Sequence, residues 1–92
     1  MPEAKIDSAW FVYLVQCKDG SLYTGVSTDV KRRVQEHNGS DKKGARYTRS
    51  RRPVTLRYQE NCANRSEACK REAAIKKLTR TQKISLIEST PA

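Results

Sequence analysis

Trp10-Phe11-Val12-Tyr13-Leu14-Val15, then Lys18-Asp19-Gly20-Ser21, then Leu22-Tyr23-Thr24-Gly25-Val26 is the stretch on which the fold turns. In Trp10 to Val15 both alternating sets are apolar, Trp10, Val12 and Leu14 against Phe11, Tyr13 and Val15. A strand of that kind is covered on both faces and is therefore central in its sheet. The Asp-Gly pair supplies a hairpin turn, so Leu22 to Val26 returns antiparallel to the first strand. Tyr13 and Tyr23 can then approach each other across the ladder. Whether they share a face depends on the register, which the alternation leaves open.

Outward from the hairpin, Thr28 or Asp29 can cap a helix that ends near Asn38-Gly39, where a left-handed C-cap is easy. Val30, Arg33, Val34 and His37 fall on one side of it, with Arg33 and His37 spaced i, i+4, whereas Arg32 points about 100° away. Residues 39–52 read as loop with one helical turn around Ala45 to Arg49. Val54 to Tyr58 alternates as a third strand, with Val54, Leu56 and Tyr58 facing the core. A helix with Ser66 as N-cap runs to about Leu78, and a last one follows the capping box Thr79-Arg80-Thr81-Gln82, with Ile84, Leu86 and Ile87 as its apolar side. Residues 1–9 read as a loose lead-in, 10–88 as one α+β domain, and 89–92 as a fraying tail.

At 92 residues the chain has room for one modest core. Its net charge of +9 is concentrated: between Lys31 and Arg57 stand ten basic residues against two acids, Glu36 and Asp41. Such a surface attracts a polyanion with salt-sensitive affinity, which makes nucleic acid the leading partner. A membrane partner is disfavoured, because no basic helix carries a leucine-rich or aromatic face. Cys17, Cys62 and Cys69 are odd in number and lack a C-x-x-C pair, so with one histidine they build neither a disulfide framework nor a four-ligand zinc site. With Glu3, Lys5 and Asp7 near the start and no apolar run of spanning length, the expected compartment is the cytoplasm.

Five residues carry the chemistry of phosphodiester cleavage. The transition state gathers charge on non-bridging oxygens, which the planar fork of Arg33 would meet. Glu72 shares a helical stripe with Ala68 and Ile75, an acid on an apolar face that either pairs with an arginine or holds a cation such as Mg²⁺ through one carboxylate, waters and the substrate phosphate. Tyr13, Tyr23 and His37 are candidates to handle the proton of an attacking water. Each has an ordinary alternative: core tyrosines, a solvated histidine, one phosphate contact among many.

Taken in order, Val12-Tyr13-Leu14, Leu22-Tyr23-Thr24-Gly25, Asp29-x-x-Arg32-Arg33-x-x-x-His37-Asn38 and Glu72-Ala73-Ala74-Ile75-Lys76 resemble the GIY-YIG nucleases, especially their small standalone members. The resemblance spans roughly residues 10–88. It implies an α+β fold with a three-stranded antiparallel sheet flanked by helices, in agreement with the pattern reading. It implies that Tyr13 and Tyr23 line the site and orient or deprotonate the water, that Arg33 contacts the scissile phosphate, that His37 assists in proton handling, and that Glu72 binds one divalent metal, Mg²⁺ or Mn²⁺. Phe11 stands at the position of the first motif's glycine, and no asparagine follows Glu72.

The expectation is thus a metal-dependent endonuclease acting on DNA, with RNA left open, and with repair or recombination as its setting. Arg32, Lys42, Lys43, Arg46, Arg49, Arg51, Arg52 and Lys76 are expected to grip nucleic acid mainly through phosphates, giving weak sequence preference. Selectivity would then come from substrate structure, such as a flap, nick or branch, or from a protein partner that supplies targeting. The competing expectation is a nucleic-acid-binding module that turns over slowly or not at all.

Overall fold

A computed structural model describes residues 9–89. The elements run β1 (Trp10–Gln16), β2 (Leu22–Ser27), α1 (Val30–Gly39), α2 (Arg46–Arg49), β3 (Thr55–Cys62), α3 (Arg65–Lys76) and α4 (Arg80–Glu88). They form the expected α+β fold, with one antiparallel sheet in the order β2-β1-β3. The expected lead-in over 1–9 and the fraying tail over 89–92 lie outside the described residues, save Ala9 and Ser89.

β1 is central because both of its faces are apolar. Tyr13, Val15 and Cys17 face one side and pack with Val30 and Val34 of α1 and with Val54. Val12 and Leu14 face the other and meet Ile75 and Leu78 together with Leu86 and Ile87 of α4. A fully buried aliphatic side chain is worth roughly 1.5–3 kcal/mol, so a polar residue anywhere from Val12 to Val15 would cost more than at any other run of four. At the hairpin, Asp19 accepts from the Ser21 amide (3.0 Å) and hydroxyl (2.6 Å), and Gly20 takes φ +88°, a region open to glycine.

Caps set the helix boundaries. Asp29 starts α1 by accepting from the Arg32 amide at 3.0 Å, and Thr79 with Gln82 forms the complete capping box of α4. Two expectations are corrected. Asn64 rather than Ser66 caps α3, because its side chain reaches the Glu67 amide at 2.9 Å, and the helix stops at Lys76 rather than Leu78. Gly39 stays helical; the end of α1 is the extended Ser40, and Gly20 is the only described residue with left-handed φ. The Arg52 guanidinium takes over the capping there, donating to the carbonyls of His37 (2.6 Å) and Ser40 (2.9 Å).

The third strand is corrected as well. Leu14 lies opposite Tyr58 but Val15 opposite Leu56, so Arg57 is an extra residue in a bulge. The bulge reverses the alternation. Tyr58 packs with Val12 and Leu14, Val54 packs with Tyr13 and Val15 on the other face, and Leu56 is left 38% exposed on an edge strand.

Candidate active site

The register settles how the two tyrosines stand. Tyr13 pairs with Gly25 and Val15 with Tyr23, so both phenols lie on the face covered by α1. The Tyr13 ring lies across Gly25: a Cβ there would sit 2.5 Å from the Tyr13 hydroxyl oxygen and 2.7 Å from Cζ. Gly25→Ala must therefore displace a buried ring. We expect it to lower stability by about 1–3 kcal/mol, read as a lower urea midpoint, and to misplace the Tyr13 hydroxyl as well.

From α1, His37 enters the same face with no exposed surface, its Nε2 2.8 Å from the Tyr13 hydroxyl oxygen. It meets the Tyr23 ring edge-on, with centroids 5.4 Å apart. Tyr23 in turn stacks on Tyr47 at 5.7 Å, and the Arg51 guanidinium lies 4.1 Å from the Tyr47 ring centre. Among the described residues the Tyr23 hydroxyl has no hydrogen-bond partner, so its ring is oriented by packing alone.

Arg33 stands one turn before His37, beside Tyr13. Its guanidinium donates to Glu36 Oε1 at 3.0 Å and to the Lys43 carbonyl, which ties α1 to the following loop. Glu72 comes from α3, where Ala68 and Ile75 are fully buried and fix that face. Its side chain is 22% exposed and pairs with Lys76 at 3.2 Å. Its helix packs on the other face of the sheet, where Ile75 meets Val12 and Leu14, and the Glu72 charge acts on the Tyr13 phenol only after burial, Arg33 and Tyr23.

Burial decides both titrating groups of the pair. It pushes the Tyr13 phenol up to about 12 despite the opposing charge of Arg33, with Tyr23 and Glu72 adding to the rise. It pushes His37 down to about 4, with Arg33 and Arg52 acting in the same direction and Glu36 against. At neutral pH both rings are uncharged. The unfolded chain takes up a proton at His37 below about 6.5, and the folded protein does so only near 4. The His37 contribution is thus complete above pH 6.5 and is lost as pH falls toward 4, amounting to about 2 kcal/mol by pH 5. Urea unfolding at pH 7 and pH 5 should show that loss in the wild type and not in His37→Gln.

The segment between α1 and β3 holds what the sequence did not announce. Gly44 lets it fold back onto α1, since a Cβ would lie 2.7 Å from the carbonyl oxygens of Glu36 and Ser40. Ala45 N–H then donates to His37 Nδ1 at 3.1 Å, and the buried Thr48 hydroxyl lies 3.1 Å from the same nitrogen. The sole sequence signal for these contacts was a glycine before a short helical turn.

The expected phosphate grips divide into two groups. Lys42, Lys43, Arg46 and Arg49 are exposed and form no ion pair among the described residues. Arg32 pairs loosely with Asp29 and Glu36, Arg51 with Asp19 at 3.1 Å, Arg52 with Asp41 at 2.9 Å, and Lys76 with Glu72. Arg52 is a structural brace here, its guanidinium spread over three acceptors. Among the described residues no helix is long and apolar enough to cross a membrane, and Cys17, Cys62 and Cys69 are free thiols.

No group of three or more histidine, cysteine, aspartate or glutamate side chains converges among the described residues. A metal here would rest on the single carboxylate of Glu72. That donor set fits Mg²⁺, which is commonly held by one or two carboxylates with waters and substrate phosphate, and does not fit zinc.

The family model of the GIY-YIG catalytic domain matches residues 9–85, and the chain belongs to this family of nucleases. A UPF0213 protein from Desulfotalea psychrophila is 62% identical over 82 residues, covering 89% of this chain and 74% of the relative. One from Halobacterium salinarum is 56% identical over 75 residues, covering 82% and 95%. A protein from E. faecalis, known from its solution NMR structure, is 43% identical with a TM-score of 0.60, over 88% of this chain and 84% of that one.

Proposed function

We propose that this protein is a metal-dependent endonuclease that hydrolyses phosphodiester bonds in DNA with little sequence preference. The observation that carries the reading is the joining of Tyr13, Tyr23, Arg33 and His37 on one face of the sheet. Family membership supports the reaction class.

In this reading Arg33 meets the charge that grows on the non-bridging phosphate oxygens, its guanidinium held in place by Glu36 and the Lys43 carbonyl. Tyr23 orients the attacking water, because its hydroxyl has no partner among the described residues. Tyr13 stays protonated at neutral pH and serves as a hydrogen-bond donor to phosphate. Glu72 would hold the metal, which when bound supplies positive charge beside the leaving oxygen. Lys76, paired with Glu72 in the free protein, would be released by that cation to a neighbouring phosphate.

Lys42, Lys43, Arg46 and Arg49 form the proposed grip on the nucleic-acid backbone, and Arg52 is left out of it because each of its three nitrogens already holds a protein acceptor. Replacing Lys42 and Lys43 together by alanine is expected to make the salt dependence of DNA affinity shallower by about two in log-log slope, with the same change on every sequence tried.

The test is cleavage of labelled single-stranded, duplex, flap and branched DNA, and of RNA, in Mg²⁺ and in EDTA. Cutting of DNA in Mg²⁺ alone is the expected result. Binding to all of them, unchanged by EDTA and without cutting, would overturn it in favour of a binding module.

A further inference from the structure

The two nitrogens of the His37 ring face different partners, and one of those partners cannot rearrange. Nδ1 receives the Ala45 amide hydrogen over 3.1 Å. A hydroxyl can rotate away from an unsuitable neighbour, whereas a backbone N–H in a fixed peptide plane cannot. A proton on Nδ1 would point directly at that amide hydrogen. Nδ1 is therefore the acceptor, and the proton of the neutral ring sits on Nε2.

The Thr48 hydroxyl supports this tautomer when its hydrogen turns to Nδ1, and the Ala45 amide decides the case because it cannot turn away. The Thr48 oxygen lies 3.1 Å from Nδ1 and 2.9 Å from the Ala45 carbonyl, so its hydrogen serves one or the other acceptor. The charged neighbours favour the neutral ring as well: Arg33 on α1 and Arg52 after α2 oppose an imidazolium, and Glu36 on α1 alone favours it. The remaining contacts of the ring are the Tyr13 hydroxyl of β1, the Tyr23 ring of β2, the Ala45 amide and the Thr48 hydroxyl; Arg46, in the same segment, is an exposed cation.

Nε2 is 2.8 Å from the Tyr13 hydroxyl oxygen. With its proton there, His37 donates and the phenol oxygen accepts. The Tyr13 hydroxyl hydrogen is then turned away from His37, toward whatever acceptor arrives.

We propose that the segment Gly44 to Thr48 is a tautomer lock, a positioning device that holds His37 as a fixed hydrogen-bond donor to Tyr13 and so presents the Tyr13 hydroxyl hydrogen to the scissile phosphate. The tautomer stands on the protein's own geometry; the phosphate as recipient rests on the nuclease reading above. His37 is then a positioning residue and takes up no proton during turnover. Ala45 acts through its backbone, which explains why its side chain gives no hint of a role.

His37 is the one histidine in the chain, so its ring nitrogens can be read in the whole protein without assignment by mutation. Long-range proton–nitrogen correlation on histidine-labelled protein, without substrate or metal, is expected to show a neutral ring with the Nε2–H pattern from pH 8 down to pH 5.5. An Nδ1–H pattern, or an imidazolium at pH 7, would overturn the lock whether or not the protein cuts DNA. Gly44→Ala, which pushes Ala45 off the ring, should give mixed tautomers; an unchanged single tautomer in a folded Gly44→Ala protein would also overturn it. In cleavage, His37→Gln keeps a donor but has no basic ring nitrogen. It should retain at least tenfold more activity than His37→Leu, and equal loss in both would return His37 to the role of base.

Discussion

Glu72→Gln should bring cleavage down roughly a thousand-fold while leaving the fold and the affinity for DNA in EDTA nearly unchanged. Metal-assisted charge stabilisation is worth several kcal/mol at the transition state, and each 1.36 kcal/mol is a factor of ten in rate. No cluster of three candidate ligands occurs among the described residues that could take over from Glu72. Glutamine keeps the shape of the side chain and removes the charge. The broken partner is Lys76, whose ammonium is well exposed, so the lost pair should cost within about 1 kcal/mol of stability. Single-turnover cleavage, fluorescence anisotropy and a urea melt on the same preparation measure the three quantities. Retained cleavage in Mg²⁺ would remove Glu72 from the site.

Arg33→Lys should cost about a hundredfold or more in single-turnover cleavage, and Arg33→Ala somewhat more, in the range found when one donor to a developing oxyanion is removed. Lysine keeps the charge but not the planar fork that can hold Glu36 and the Lys43 carbonyl while still facing a phosphate oxygen. Weakened DNA binding of only a few-fold is expected, because Lys42, Lys43, Arg46 and Arg49 remain. A drop in affinity as large as the drop in rate would make Arg33 one backbone contact among several.

The hairpin could be read from sequence because β1 is apolar on both faces and Asp19-Gly20 has a turn chemistry of its own. Caps with a short side chain at the right spacing were equally readable at Asp29 and Thr79. At α3 two such residues compete within three positions, and Asn64 wins by its reach to the Glu67 amide, a matter of geometry rather than of residue type. The bulge at Arg57 was hidden for a different reason: Val54, Leu56 and Tyr58 alternate perfectly, yet one inserted residue sends Tyr58 to the opposite face.

For the candidate site, residue identity and spacing pointed to Tyr13, Tyr23, Arg33, His37 and Glu72, because the roles proposed for them belong to side chains. Tyr47 and Thr48 lie in a stretch without periodicity, and Ala45 contributes a backbone hydrogen that any residue but proline would supply. The fully buried His37 also departs from the ordinary expectation of a solvated helix histidine. Its depth follows from the loop folding back over α1 at Gly44, which no periodicity in α1 itself encodes.

The Tyr13 ring resting on Gly25 has a consequence for how variants of this protein would be interpreted. Gly25 has no side chain to act with, yet any side chain larger than hydrogen collides with the Tyr13 phenol proposed to face the phosphate. In a saturation screen scored on DNA cleavage, position 25 would rank with Arg33 and Glu72 as fully intolerant. A parallel score for folded abundance would separate them, with Gly25 variants falling in both screens and Glu72→Gln in only one.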